Sequence, residues 1–99
     1  MQTWIALVKL TDKGRTEIAE SLKRGEYAQE IMERNGVTMR EYYLTIGAYD
    51  FVLIFDAQDE RGMAQTLVEI GRLGAIRTET MLAFGKEPYD EIQEQLNAG

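Results

Sequence analysis

With 99 residues, 44% of them hydrophobic and 28% charged, the chain reads as one globular domain over residues 1–99, built around a single core. A formal charge of -6 opposes both the phosphates of nucleic acid and anionic membrane surfaces, and no apolar run approaches the roughly 20 residues that span a bilayer. The absence of Cys and His excludes disulfides, thiol catalysis, a Ser-His-Asp triad, Cys/His zinc sites and a His-ligated haem; no cofactor or metal is expected, and the default location is cytoplasmic.

The run TWIALVKL predicts a buried strand over residues 3–10, stopped by the turn and cap residues Thr11-Asp12-Lys13-Gly14. From about Arg15 to Asn35, Ile18, Leu22, Ala28, Ile31 and Met32 recur at near-helical spacing, and Asn35-Gly36 supplies a left-handed stop. Gly25 lies inside this helix and predicts a kink or short break there.

Val37–Ile46 and the run beginning at Tyr49 are rich in β-branched and aromatic residues, which predicts the second and third strands. Gly47-Ala48 between them predicts a two-residue type II′ turn, with Gly47 supplying the positive φ and Ile46 facing Tyr49. Asp59 caps a second helix from about Glu60 to Leu73, with Met63, Leu67 and Ile70 as its apolar stripe. AIRTETMLAF gives strand four, and Pro88 opens a closing helix that Ile92 and Leu96 would dock.

This order is the split βαββαβ pattern of an α+β, ferredoxin-like fold: a four-stranded antiparallel sheet with both helices on one face, plus a short C-terminal helix. In strand three, Tyr49, Phe51, Leu53 and Phe55 alternate with Asp50, Val52, Ile54 and Asp56, so apolar residues fall on both faces. Strand one repeats this, with Trp4, Ala6 and Val8 against Ile5 and Leu7; the Tyr49 face, shared by Tyr42 and Leu44, is assigned to the helices. The Asp50 face, shared by Glu41 and Tyr43, then needs a second copy of the chain to cover it, which predicts a homodimer.

Gly47, Tyr49 and Asp50 match a Gly-x-Tyr-Asp pattern, and together with LTDKGR, Gly36-Val37 and the Arg77-Thr78-Glu79-Thr80 run they resemble the GYD family along most of the chain. That resemblance implies a dimeric α+β barrel and no established reaction. The hairpin is also similar to that of the ligand-binding domain of feast/famine regulators; no helix-turn-helix precedes it here, which suggests a stand-alone sensor module. Related barrels include cofactor-free monooxygenases and isomerases, an analogy of fold only.

The residues singled out as ligand-binding are Tyr43, Tyr49, Asp50, Arg77, Glu79 and Trp4, with Gly47 as the structural turn. Asp50 can serve as general acid or base, but an Asp beside a tight turn more often accepts backbone hydrogen bonds. Tyr42, Tyr43 and Tyr49 suit ligand orientation or packing, Arg77 and Glu79 suit anion binding or a solvated strand, and Trp4 suits the core or a pocket wall. Three functions follow: a homodimer binding a small apolar or aromatic molecule, a cofactor-free enzyme using Asp50, or a protein-association module.

Overall fold

The apolar runs and cap residues resolve into β1 (Gln2–Leu10), α1 (Asp12–Thr16), a 3₁₀ turn (Ile18–Glu20), α2 (Ser21–Arg34), β2 (Val37–Leu44), β3 (Phe51–Ala57), α3 (Glu60–Gly71), β4 (Ile76–Ala83) and α4 (Lys86–Ala98) in a computed structural model that describes residues 1–98. The sheet order is β2-β3-β1-β4 with every neighbouring pair antiparallel. This is the ferredoxin-like arrangement. Ala6, Val8, Phe55, Ala57 and Val37 of the sheet meet Met32 of α2 and Met63 of α3 in one buried cluster, so both helices cover the same face.

The two strand-to-helix junctions are built alike. Thr11 accepts from the Gly14 N–H at 3.1 Å, and Asp59 accepts from the Gly62 N–H at 2.7 Å, each side chain satisfying a donor that the first turn leaves free. Both glycines then press against a carbonyl: a Cβ would stand 2.1 Å from the Ala75 oxygen at Gly14 and 2.2 Å from the Asn35 oxygen at Gly62. Only hydrogen allows that approach. The adjacent bonds Thr11 N–H to Ala75 O and Gln58 N–H to Gly36 O fix each helix start against the chain returning to the sheet.

The first helical region breaks upstream of the place the sequence predicts. α2 runs unbroken through Gly25, whereas Glu17–Glu20 tightens into the 3₁₀ turn. Glycine lowers helix stability but removes no backbone hydrogen bond, so it does not by itself open a helix. The direction of α1 is instead set by Gly14 against Ala75, and the chain must turn at Glu17–Glu20 to bring α2 over the sheet. That turn also shifts the helical phase: Leu22 is 75% exposed, and the inward stripe begins at Ser21, Arg24 and Gly25.

The hairpin keeps the predicted register, Leu44 facing Phe51 and Tyr43 facing Val52, but not the predicted turn. Thr45 N–H bonds to the Asp50 carbonyl, leaving Ile46, Gly47, Ala48 and Tyr49 as the loop. The Thr45 hydroxyl donates to the Tyr49 carbonyl at 2.6 Å, a local bond that competes with strand pairing between Ile46 and Tyr49. Gly47 has φ 153°, far from the roughly +60° of a type II′ turn. A bulge between Met39 and Glu41 explains the loose alternation of β2, since it lets Val37 and Met39, then Tyr42, all face the helices.

α4 contains Pro88 in its first turn as expected, but Ile92 and Leu96 do not dock it: no residue of α4 is buried, and Leu96 is 71% exposed. The helix-bearing face of the sheet is already occupied by α2 and α3, which leaves no apolar seat for a third helix. The radius of gyration is accordingly 15.5 Å, against about 13 Å for a compact chain of this length.

Glycine substitutions separate these two kinds of site. Gly25→Ala meets nothing within 4 Å and should raise stability by about 1 kcal/mol in urea denaturation. Gly14→Ala should lower it by about 1–3 kcal/mol through overpacking on Ala75.

Candidate binding site

Two surfaces present themselves. The first is the sheet face opposite the helices. Register places Tyr43, Val52, Leu7 and Glu79 in one row across it and Glu41, Ile54, Ile5 and Met81 in the next. Its middle is therefore aliphatic, with Met81 44% exposed. Its margins carry Lys9, Arg40 and Arg77 against Glu41, Asp56 and Glu79, with Arg40 and Asp56 paired at 3.7 Å.

Tyr49 joins this open face rather than the helix face to which strand alternation assigned it. Its hydroxyl donates to Glu79 at 2.8 Å, and the Lys9 ammonium stands 5.7 Å from its ring centroid. Alternation fails there because Tyr49 belongs to the loop. Its hydrogen bond to the Glu79 carboxylate favours the neutral phenol and holds its pKa above the usual value, and the Glu41 carboxylate does the same for Tyr43.

Asp50 is committed to the backbone. Its N–H donates to the Val8 carbonyl and its Oδ2 accepts from the Leu10 N–H, both at 2.8 Å, so one residue extends the hold of β3 on β1 beyond Phe51. Arg77 lies opposite Lys9 on the outer strand β4. Trp4 packs against the core on the helix side, its indole N–H bonded to Gln2 at 3.0 Å.

The second surface is a cavity of about 200 Å³ between α2 and the sheet. Val8, Phe51, Leu53 and Met39 form its floor, and Ala28 and Met32 part of its roof. Tyr42 stands beside it, its ring tilted by 50° against Phe51 at a centroid distance of 5.3 Å. Arg24 is the one ionisable group on its wall apart from the Tyr42 phenol. No carboxylate among the described residues lines it.

A family model for the GYD domain matches residues 4–93. The chain belongs to the GYD domain family. A Thermus thermophilus protein described as a glutamine synthetase and cystathionine beta-lyase binding protein is 31% identical over 85 residues, which cover 85% of this chain and 90% of that one. A crystal structure of a protein from Thermus thermophilus superposes with a TM-score of 0.59 at 25% identity, covering 86% of this chain and 95% of the other. A feast or famine regulatory protein from M. tuberculosis, complexed with L-methionine, superposes at 0.62 with 16% identity over 87% of this chain and 52% of its own, a likeness of fold.

In this GYD domain the residues chosen from sequence gather on the open face or at its end, except Trp4, and none lines the cavity. Arg24, Ser21 and Met39 on the cavity wall were not singled out as ligand-binding, whereas Tyr42, weighed with Tyr43 and Tyr49 as a ligand-orienting tyrosine, does lie there. The available signal was Gly25, a glycine inside a helix that does not bend there, which the structure places on the cavity wall with open space around it. No helix among the described residues is long and apolar enough to cross a membrane.

The backbone role of Asp50 is directly testable. Asp50→Ala leaves the part-buried Leu10 N–H without its acceptor and should cost about 1–3 kcal/mol in chemical denaturation. Asp50→Asn retains an acceptor oxygen and should cost less.

Proposed function

We propose that this GYD-domain protein is a non-catalytic cytoplasmic binding protein that works as a homodimer: a second copy covers the open sheet face, and a small apolar or aromatic molecule occupies the cavity beneath α2. The observation that carries the ligand reading is the cavity itself, apolar on nearly every side and walled at Gly25 by a backbone with no side chain. Its size supports a single-ring or comparable guest, because an apolar cavity of about 150 Å³ suffices for benzene. Binding is favoured over catalysis because Asp50, the carboxylate a cofactor-free enzyme would use, is held by the Leu10 N–H and does not line the cavity.

Self-association is supported by the composition of the open face. Ile5, Leu7, Val52 and Ile54 form its centre, and its margins hold charges of both signs, a pattern that can be self-complementary about a two-fold axis. A second reading, association with another protein, is favoured by the Thermus thermophilus relative, which is described as a glutamine synthetase and cystathionine beta-lyase binding protein. The two readings are compatible where a dimer is the unit that meets the partner.

The methionines report on the ligand reading, because they sample different surfaces. Met32 and Met39 line the cavity, Met63 lies in the core beneath α3, and Met81 lies on the open face. In methyl NMR of methionine-labelled protein, titration with toluene should move the Met32 and Met39 signals and leave Met81 in place. Ala28→Phe, which fills the cavity from α2, should abolish those shifts. Shifts confined to Met81 would move the ligand to the sheet face, and no shift at any methionine would remove the cavity reading.

A further inference from the structure

The residues of α2 that line the cavity are Ser21, Arg24, Gly25, Ala28 and Met32. The last two are ordinary core. The first three place a hydroxyl, a guanidinium and a glycine where helix packing on a sheet would normally place large apolar side chains. Two departures coincide there: missing volume, which leaves the cavity, and a cationic residue, Arg24, on its wall.

Arg24 is drawn inward, its side chain only 19% exposed. Its Nη2 donates to the Glu17 carbonyl at 3.2 Å, and its Nη1 stands 3.9 Å from the Glu17 carboxylate, outside hydrogen-bond distance. Among the described residues this is the hydrogen bond Arg24 makes, so most of the guanidinium fork has no acceptor. Glu17, at 43% exposed, is a loose and solvated counter-charge that an incoming anion can replace.

We propose that the cavity takes a small monocarboxylate with an aromatic or branched apolar tail, the tail lying among Ala28, Met32, Met39 and Phe51 and the carboxylate meeting Arg24. This rests on the reading of the cavity as a binding site and adds the polar half of the ligand. A planar guanidinium fork matches a carboxylate geometrically, with two parallel N–H···O bonds. No second cation among the described residues lines the cavity, so the site balances one negative charge and suits a monoanion better than a phosphate dianion. The remaining walls offer apolar surface to the tail, which sets the class as an amphipathic acid rather than a polar one.

The test is isothermal titration of the full chain with phenylacetate and with phenylacetamide, which is nearly the same shape but neutral. The acid should bind about tenfold tighter, equivalent to about 1.4 kcal/mol. Arg24→Gln should erase this difference between acid and amide. Glu17→Gln, which keeps Arg24 and removes its present counter-charge, should tighten binding of the acid alone.

Equal binding of acid and amide to the unmodified protein would overturn the carboxylate proposal and leave an apolar cavity site standing. Binding of neither would overturn both. Should Arg24→Gln fail to fold, the Glu17→Gln variant decides: an unchanged ratio of acid to amide affinity would overturn the role given to Arg24.

Discussion

Two glycines against two carbonyls set the spacing on which this domain depends. Gly14 on Ala75 and Gly62 on Asn35 bring the starts of α1 and α3 closer to the returning chain than any side chain would permit, each locked by a cap side chain one turn earlier. The core between sheet and helices can then be filled by medium-sized residues such as Val8, Met32 and Met63. The same constraint has a cost downstream. Because α1 is pinned, the chain must bend at Glu17–Glu20 before α2 can lie on the sheet, and the bend determines which residues of α2 turn inward.

The cavity follows from that geometry. Had the helix run straight from Arg15, Leu22 would have been the natural core residue; after the bend it is 75% exposed, and Ser21, Arg24 and Gly25 line the cavity instead. At the opposite face, the aliphatic rows of β1 and β3 have no helix to meet, and α4 carries its own apolar side chains, Tyr89, Ile92 and Leu96, away from the core. One chain thus leaves a void on the covered side of its sheet and apolar surface on the other. A binding protein that pairs with itself accounts for both features without assigning catalytic chemistry to a side chain.

Much of the fold was legible because its determinants are local. Alternation in Phe51–Phe55 gave the strand and its faces, and Asp59 gave a helix start. Residues 11–14 gave the end of strand one, although the helix there begins at Asp12 rather than Arg15. The spacing of β2 and β3 gave a register that the structure keeps despite a different turn. What could not be read depended on contacts between distant residues. The bend before α2 comes from Gly14 meeting Ala75, far along the chain. Tyr49 changes face because the Thr45 hydroxyl captures its carbonyl, a choice between two nearly equivalent local bonds. The site was less legible than the fold for the same reason: Asp50 and the tyrosines are conspicuous in sequence, whereas Arg24 and Gly25 acquire meaning only once the helical phase is known.

The proposed pairing of two copies across the open sheet face is tested most directly by sedimentation equilibrium of the unmodified protein beside Ile5→Lys. Ile5 lies in the middle of the open face, between Ile54 and Met81. The unmodified protein should sediment as a species of two 11.3 kDa chains and the variant as a folded single chain, because a lysine there would have to be buried without a partner. A single unmodified chain at micromolar concentration, or an unchanged dimer with Lys at position 5, would contradict the pairing of the two sheets.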